Sequence, residues 1–337
     1  MAAGVSVGTV SNVLNRPQQV AATTQQRVRR VIDDLGFVRN ESARQLRTGA
    51  SRAIGLVVLD AGNPYFADVA RGVEDVVHGS RGVVLLGNSA GDPAREQRYL
   101  ELFEEQRVRG VLIAPSSDEQ PRLAGLSRLG IPVVFLDRYP DEAPFSSVSV
   151  DDVAGGRAGA EHLLERGHTR LAFVGGPSTL RQVRERRAGA ETAVGAGAGA
   201  TLLLVSTRAL STSEGRRAAE ELAALPPGER PTGVLAANDL TALGLLQGFL
   251  RHGVRVPQDV ALVGYDDIEF AESAAVPLSS VRQPREELGR RGAEILLAQL
   301  QAQDDGTPVE LSRVRFTPEL VVRRSSEPRA TPPVPAA

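Results

Sequence analysis

The chain has 337 residues, enough for two or three domains with large cores, and a formal net charge of −2. It contains no cysteine, which excludes disulfides and cysteine-based zinc sites, and its four scattered histidines predict no metal site. The absence of a signal-peptide pattern and of a long apolar run predicts a soluble, cytoplasmic protein that does not enter a membrane.

The charge is distributed unevenly along the chain. Residues 1–52 hold eight arginines and three acidic residues, a local charge of +5, so the remainder carries −7. A small basic segment attached to an acidic body is typical of a nucleic-acid-binding module joined to another domain.

Residues 5–15 (VSVGTVSNVLN) predict a DNA-recognition helix. Ser6 is a good N-cap, and Val10, Val13 and Leu14 recur at helical spacing to form one apolar stripe. The opposite face has small or amide-bearing side chains that suit a helix entering a major groove, although an ordinary amphipathic surface helix has the same pattern. The expected DNA-contacting residues of this segment are Ser6, Val7, Gly8, Thr9, Ser11 and Asn12.

Two further helices are predicted in the basic segment. Residues 22–37 (ATTQQRVRRVIDDLGF) predict a packing helix that ends at Gly36, with one apolar face made of Val28, Val31, Ile32 and Leu35. Residues 40–49 (NESARQLRTG) predict a helix of about two turns, too short to be stable alone in water and therefore expected to fold against a partner.

A DNA minor groove is the partner that this short helix suits, with a plain interdomain linker as the alternative. A leucine between base steps and arginines on phosphates would make the contact. The expected contacting residues are Asn40, Ala43, Arg44, Leu46 and Arg47.

Eight short apolar runs follow residue 52 and alternate with helical stretches, which indicates βαβ units and parallel sheets. Eight strands are more than a single sheet of this kind usually contains, so an α/β body of two Rossmann-like lobes is predicted. Polar residues stand at the ends of several predicted strands, where open α/β sheets bind ligands or where side chains cap the next helix. We expect Asp239 to cap the following helix, which leaves Asn238 for the cleft.

No feature indicates an enzyme. The GAGAGA segment (195–200) precedes a strand and lacks the GxGxxG spacing, so a flexible loop is expected there and no dinucleotide cofactor. The acidic pairs 151–152 and 266–267 have no nearby nucleophile, base or metal set, so no catalytic residue is assigned.

The chain resembles the lactose/galactose repressor (LacI-type) family from Ala3 to about Arg324. The segments that show the resemblance are AGVSVGTVSNVLN, LGFVRNESARQLRTG, IGLVV, NPYF, GHTRLAFVGG, NDLTALG and VPQDVALVGYDD. The resemblance implies a sequence-specific transcriptional regulator, a repressor, that binds double-stranded operator DNA and is controlled by a small-molecule effector.

The resemblance also implies a domain organisation. A helix-turn-helix head would occupy residues 1–39 and a hinge residues 40–52, followed by a type I periplasmic-binding-protein-like core over residues 53–324 and a disordered tail from residue 325. The lobes would comprise residues 53–153 with 283–311, and residues 154–282 with 312–324. The tail lacks the heptad leucines of a tetramerisation helix, so a homodimer formed through the core is expected.

The family's effector contacts carry over to a mixed set of side chains on this chain. A carboxylate, a guanidinium, an amide and an aromatic platform suit a sugar, although Leu210 stands where the family often has an aromatic residue. The matching positions are Tyr65, Phe66, Asp137, Arg138, Arg186, Asn238 and Asp266.

Three local departures from the family pattern concern the head. Only three residues precede Gly4, where the family has a further helix. Either the true start lies upstream, which is the favoured expectation, or the head lacks its first helix. Ala21–Ala22 and Arg39 replace a usual capping pair and a usual proline. The alternative function is therefore a sugar-binding module that no longer binds DNA.

Overall fold

The computed structural model describes residues 2–36, 51–117, 121–139, 144–197 and 199–327. The chain divides into two compact units, the head (Met1–Ser51) and the body (Arg52–Ala337). The predicted minor-groove contacts Asn40, Ala43, Arg44, Leu46 and Arg47 lie outside the described residues, as do Arg39 and the tail from residue 328.

Over residues 2–36 the head has two helices, α1 (Val7–Asn15) and α2 (Ala22–Asp34), joined through a 3-10 turn over Pro17–Gln19. Ser6 caps α1 as predicted, because its Oγ accepts a hydrogen bond from the Thr9 amide at 3.1 Å. Ala21 stands at the N-cap of α2 and provides no side-chain hydrogen bond. The side chain of Gln25 instead donates to the carbonyls of Pro17 and Val20 and so ties α2 to the preceding turn.

The head packs around Val13 of α1 and Val28 of α2, which are both buried. Val31 and Ile32 are half-buried on the same face of α2. Leu35, the last residue of the predicted stripe, follows the end of α2 at Asp34 and is 66% exposed, although its amide still donates to the Val31 carbonyl at 3.1 Å. Among the predicted apolar residues of α2, burial is therefore confined to Val28, Val31 and Ile32.

The body contains twelve strands and nine α-helices among its described residues. The strands are β1 (Ala53–Val58), β2 (Val83–Asn88), β3 (Gly110–Ile113), β4 (Val133–Leu136), β5 (Ser146–Val150), β6 (Arg170–Gly175), β7 (Thr201–Ser206), β8 (Gly233–Ala236), β9 (Ala261–Asp266), β10 (Ser279–Arg282), β11 (Arg313–Phe316) and β12 (Glu319–Val321). The helices are α3 (Pro64–Gly79), α4 (Pro93–Glu105), α5 (Pro121–Arg128), α6 (Asp152–Glu165), α7 (Arg181–Ala196), α8 (Thr212–Ala224), α9 (Asp239–Arg251), α10 (Glu269–Ser273) and α11 (Arg285–Asp304).

The strands form two six-stranded sheets, which confirms the two-lobed α/β prediction. The first lobe has the order β11-β5-β4-β3-β1-β2, and the second has the order β12-β10-β9-β8-β6-β7. All pairs are parallel except β10 with β12. Central strands such as β3, β4, β8 and β9 are buried on both faces, which explains why their sequences are continuous apolar runs.

Helices cover both lobes at close range. In the second lobe α6 packs against α7 so tightly that a Cβ on Gly156 would stand 1.9 Å from the Arg186 carbonyl oxygen. Helix α11 packs in the same manner on α3 in the first lobe, where a Cβ on Gly289 would stand 2.0 Å from the Val69 carbonyl oxygen. The first residues of α6, α7 and α11 are thereby held at fixed places near the strand ends.

The chain crosses between the lobes three times, after β5, after β10 and after β11. The predicted lobe boundary at residue 312 was wrong, because Arg313–Phe316 pairs with β5 and belongs to the first lobe. The predicted start of the disordered tail at residue 325 was also wrong. Ser325 and Ser326 are fully buried, and the Ser325 hydroxyl donates to the Leu262 carbonyl at 2.6 Å.

The loop expected over residues 195–200 begins later than predicted, because α7 continues through Gly195 to Ala196, whereas Gly197, Gly199 and Ala200 lie outside helices and strands. No helix of the described residues is long and apolar enough to cross a membrane.

Candidate functional site

The outer face of α1 in the head has the small side chains that the sequence predicted. Val7 is 78% exposed, and Gly8 and Asn12 are also exposed, while Ser11 is half-buried. Ser6 and Thr9 are engaged with each other, since their hydroxyl oxygens lie 3.0 Å apart at the helix start. Val7, Gly8 and Asn12 therefore form a narrow, uncharged helix face, while Arg27, Arg29 and Arg30 are exposed on α2.

The body has a polar cluster where the carboxyl ends of its two sheets meet. Asp137 follows β4 of the first lobe, and Asp266 ends β9 of the second. Both residues have positive φ angles, 55° and 103°, a backbone conformation that turns each side chain away from the direction of its strand. The cluster forms at the strand ends where α/β folds bind ligands.

Arg186 of α7 organises the second-lobe side of this cluster. The residue is buried, its Nε donates to Asp152 Oδ1 at 2.8 Å, and its Nη1 donates to the Ala237 carbonyl at 2.7 Å. Its Nη1 also lies 3.6 Å from Asp266 Oδ1, and the guanidinium stacks 3.8 Å from the centre of the Tyr265 ring. The guanidinium of Arg186 is thus held in a fixed orientation by contacts on several sides.

Tyr65 of α3 brings the first lobe into the cluster. Its hydroxyl lies 3.0 Å from Asp137 Oδ1 and 3.4 Å from Gln283 Oε1. Its ring packs edge-on against Phe66 at 4.9 Å, and both rings are buried in the apolar core. Tyr65 therefore contributes a hydroxyl to the site, and a stacking role for this aromatic pair stays a prediction.

Asp266 receives donors from both lobes. Asn63 at the start of α3 donates to Asp266 Oδ2 at 3.5 Å, and Gln283 Nε2 donates to Asp266 Oδ1 at 2.7 Å. Arg285 at the start of α11 donates to the Asp266 main-chain carbonyl and pairs with Asp68 of α3. The Asp266 segment is thus the place where the lobes are hydrogen-bonded together.

The prediction that Asp239 caps the helix that follows β8 was wrong. Asn238 caps α9, because its Oδ1 accepts hydrogen bonds from the Thr241 amide at 2.9 Å and from the Thr241 hydroxyl at 2.7 Å. Asp239 points elsewhere and accepts from the Ser280 hydroxyl and the Ile268 amide. The Asn238 amide nitrogen is nevertheless buried without a hydrogen-bond partner among the described residues, so it remains a donor for a ligand.

Arg138 lies on the outer side of the cluster. Its Nη1 donates to the Ser117 carbonyl at 2.7 Å, and its guanidinium lies 5.3 Å from the centre of the Phe135 ring. A small cleft opens between the lobes at this point. It is lined from the first lobe by Leu59, Ala114, Pro115, Ser117, Asp137 and Arg138, and from the second by Arg181 and Gln182.

The carboxyl groups of the cluster have altered acidity. Burial, reinforced by the negative charge of Asp152, raises the pKa of Asp137 to about 8 although the residue as a whole keeps partial solvent exposure. Burial also raises the pKa of Asp266 to about 6, against the lowering effect of Arg186. Acidic groups whose protons are held near neutral pH are common where proteins bind polar ligands.

Sequence reasoning missed part of this cluster. Asp152 had been considered only as half of an acidic pair, yet it is the closest carboxylate to Arg186. Gln283 and Asn63 carry no motif that marks them, because their contacts join residues more than two hundred positions apart in the chain. The described residues contain no group of side chains that could hold a metal ion.

Comparisons with known proteins agree with this arrangement. Residues 1–40 match the family described as "Bacterial regulatory proteins, lacI family", and residues 160–326 match the family described as "Periplasmic binding protein-like domain". The HTH-type transcriptional repressor PurR of Photobacterium profundum is 32% identical over 326 residues, which cover 96% of each chain. Relatives of this kind are repressors, which confirms the prediction that the chain is not an enzyme.

Two solved structures are similar over nearly the whole chain. The transcriptional regulator CelR in complex with cellobiose is 31% identical with a TM-score of 0.71, covering 96% of this chain and 97% of that chain. The lac repressor dimer bound to operator and the anti-inducer ONPF is 27% identical with a TM-score of 0.78, covering 96% of each chain.

Proposed function

We propose that this chain, which belongs to the lacI family of bacterial regulatory proteins, represses transcription at a specific operator under the control of a sugar bound between its lobes. The observation that carries the proposal is the convergence of Tyr65, Asp137, Arg186 and Asp266 from both lobes on one polar cluster. A ligand held there contacts both lobes at once, and its binding energy therefore favours their closed arrangement.

A sugar fits the chemistry of the cluster. Asp137 and Asp266 offer acceptors to hydroxyl groups, while Arg186 and the unpartnered Asn238 amide nitrogen offer donors. Neighbouring hydroxyls of a sugar can each donate and accept, so they match a mixed set of this kind. The similar regulator CelR was solved with cellobiose, which supports the same class of ligand here.

The DNA-reading element is the exposed face of α1. Asn12 is an exposed amide on this face, and an asparagine can bind adenine through two hydrogen bonds, which contributes about 1–3 kcal/mol of discrimination. Gly8 provides no side chain and so permits close approach to the base pairs. The short predicted helix with Arg44, Leu46 and Arg47 would add minor-groove contacts.

The edge of the first sheet supports a homodimer formed through the body. Val83, Leu85 and Leu86 of β2 are exposed on this edge strand, and β2 contains no lysine or proline that would protect it from pairing. Two copies of α1 in a dimer would read a palindromic site, as symmetric regulators do. The similar lac repressor was solved as a dimer on its operator.

DNA binding is tested by measuring the affinity for a palindromic duplex at several salt concentrations. We expect specific binding that weakens with salt, and an Asn12→Ala variant that loses about 1–3 kcal/mol at one base pair only. A Gln18→Ala variant, changed at an exposed residue outside α1, is the matched control and should bind like the parent chain. Equal affinity for specific and scrambled duplexes would refute the regulator proposal and favour a sugar-binding module.

Effector binding is tested by thermal unfolding of the chain with pentoses, hexoses, disaccharides and nucleobases. At least one sugar should raise the unfolding temperature, and the isosteric variant Asp137→Asn should reduce that rise. Asp60→Asn is the matched control, because Asp60 also follows a strand but is exposed and accepts a hydrogen bond from its own turn at Gly62. A stabilising nucleobase with no response to any sugar would replace the proposed ligand class.

A further inference from the structure

Four residues form a continuous polar chain across the lobes, and we call it the proton chain. It runs from Asp137 in the first lobe through Tyr65 and Gln283 to Asp266 in the second. The successive separations are 3.0 Å, 3.4 Å and 2.7 Å between the facing oxygen and nitrogen atoms. Gln283 lies in the segment that crosses from β10 to α11, so it stands between the two lobes.

When both carboxyl groups are ionised, the proton chain has too few hydrogen atoms to place a hydrogen bond at each of its three contacts. Tyr65 has one hydroxyl hydrogen, but its oxygen faces two acceptors, Asp137 Oδ1 and Gln283 Oε1. Donation to one acceptor leaves the other facing a lone pair. A proton on Asp137 removes the conflict, because Asp137 then donates to Tyr65, Tyr65 donates to Gln283, and Gln283 donates to Asp266.

Reversing the Gln283 amide does not remove the need for this proton. Its oxygen would then face Asp266 Oδ1 at 2.7 Å, a separation that requires a hydrogen between the two oxygens. A proton on Asp266 would supply it, and the amide nitrogen would donate to Tyr65, whose hydroxyl would donate to Asp137. In the orientation of the structure, one proton on Asp137 relieves the 3.4 Å contact between the lone pairs of Tyr65 and Gln283, and in the reversed orientation one proton on Asp266 is required.

We propose that the proton chain holds one exchangeable proton before an effector binds and that effector binding releases it. The release follows from hydrogen-bond chemistry, because hydroxyl groups of a ligand donate to Asp137 and Asp266 and stabilise their ionised forms. The statement about the effector rests on the proposed function, whereas the statement about the proton on the proton chain does not.

The charges around the proton chain favour this extra proton. Asp137 faces Tyr65 from α3, Asp152 from α6, Arg186 from α7 and Asp266 from β9, with Arg138 next to it in sequence. Asp266 faces Asn63, Gln283, Arg186 and Arg285, and it lies near Asp239. Two buried carboxyl groups, those of Asp152 and Asp266, and the half-buried Asp137 thus surround one buried guanidinium, and burial penalises the surplus negative charge.

The two ends of the proton chain differ in acidity. Burial raises the pKa of Asp137 to about 8 and that of Asp266 to about 6. At neutral pH the proton therefore sits on Asp137, which agrees with the amide orientation in which Gln283 donates to Asp266. Gln283 acts as a positioning residue, since it joins the two carboxyl groups without being an acid itself.

The first test needs no ligand. Infrared titration of the full chain follows the carboxylic acid C=O band, and we expect one buried carboxyl group to lose its proton near pH 8. Asp137→Asn should abolish that titration, and Gln283→Leu should shift it to lower pH because Tyr65 is then free to donate to Asp137. Gln299→Leu is the matched control, a buried glutamine bonded to Ser146 outside the cleft, and should titrate like the parent chain.

The second test uses cellobiose, with ribose and glucose as further probes, in calorimetric titrations with two buffers of different ionisation enthalpy. Binding at pH 7 should release up to one proton, and affinity should rise up to about tenfold per pH unit between pH 6 and 8. Gln283→Leu should flatten this slope, whereas Gln299→Leu should keep it.

The outcomes separate the inference from the proposed function. If none of the sugars binds, the sugar proposal fails while the infrared titration still decides whether the proton exists. The inference is overturned by a parent chain with no carboxyl group titrating between pH 6 and 9. It is also overturned by sugar binding that releases no proton, or by Gln283→Leu and Gln299→Leu having the same effect.

Discussion

The buried ion pair between Asp152 and Arg186 should contribute strongly to the free energy of unfolding of the body. Their side chains are only 4% and 3% exposed, and the Arg186 Nε donates to Asp152 Oδ1 at 2.8 Å. Asp152→Ala removes the closest counter-charge and leaves a buried guanidinium that water cannot reach. Breaking a buried pair by removing one partner costs about 3–5 kcal/mol in other proteins.

The lower end of that range applies here, because two other acceptors remain. The Ala237 carbonyl stays bonded to Arg186 at 2.7 Å, and Asp266 lies at 3.6 Å. We therefore expect a loss of about 3 kcal/mol in the free energy of unfolding, equivalent to a melting temperature lower by roughly 6–12 °C for a domain of this size. Asp152→Asn keeps an acceptor oxygen for Arg186 and should therefore lose less free energy of unfolding than Asp152→Ala.

The neighbouring residue Asp151 supplies the matched control. Asp151 caps α6 through the Ala154 amide at 2.9 Å and pairs with the partly exposed Arg315. Asp151→Ala should cost about 1 kcal/mol, the usual value of an N-cap. Urea unfolding of the parent chain and the three variants measures the differences. Equal losses for Asp151→Ala and Asp152→Ala would refute the reasoning that burial of the pair sets its importance.

Two further predictions concern packing and pH. Gly156→Ala should destabilise the body by about 2–3 kcal/mol, because its Cβ would stand 1.9 Å from the Arg186 carbonyl oxygen. Gly125 faces open space on α5, so Gly125→Ala should stabilise the body by up to about 1 kcal/mol. Thermal unfolding of both variants checks this contrast. Burial and the nearby Arg166 lower the pKa of His162 to about 4, so its neutral form is the folded one and stability is lost as pH falls from 6.5 towards 4. Urea unfolding at pH 7 and pH 5 should show that His162→Gln loses less free energy of unfolding between these pH values than the parent chain does. An equal loss in both proteins would contradict the role of this histidine.

Local pattern was sufficient for many features of this chain. The cap at Ser6, the buried stripe through Val13, and all eight apolar strands were predictable, because helix caps and apolar periodicity involve residues that are close in sequence. The two-lobed fold followed from the number of strands and their alternation with helices. Asp137, Arg186, Asn238 and Asp266 were selected as site residues from strand ends and family resemblance.

The strands β5, β10, β11 and β12 were not predicted. Strands β5 and β10 are rich in serine, with Ser146, Ser147, Ser279 and Ser280 all buried, so they lack the apolar signal of a central strand. Their hydroxyls are satisfied by partners far away in sequence, such as Gln299 for Ser146. Strands β11 and β12 are short edge strands whose partners, β5 and β10, lie many residues earlier.

The sequence by itself determined the family, the α/β class, the position of helix α1 and most of the residue types in the cleft, because these depend on local spacing and on individual side chains. Only the tertiary structure decided that Asn238 rather than Asp239 caps α9, that Asp152 holds Arg186, and that Gln283 joins Asp137 to Asp266 through Tyr65. These choices depend on distances between atoms whose residues are up to about two hundred positions apart, and on the loss of water around them. Burial brings the carboxyl groups together and changes their acidity, and no pattern of neighbouring residues records that change.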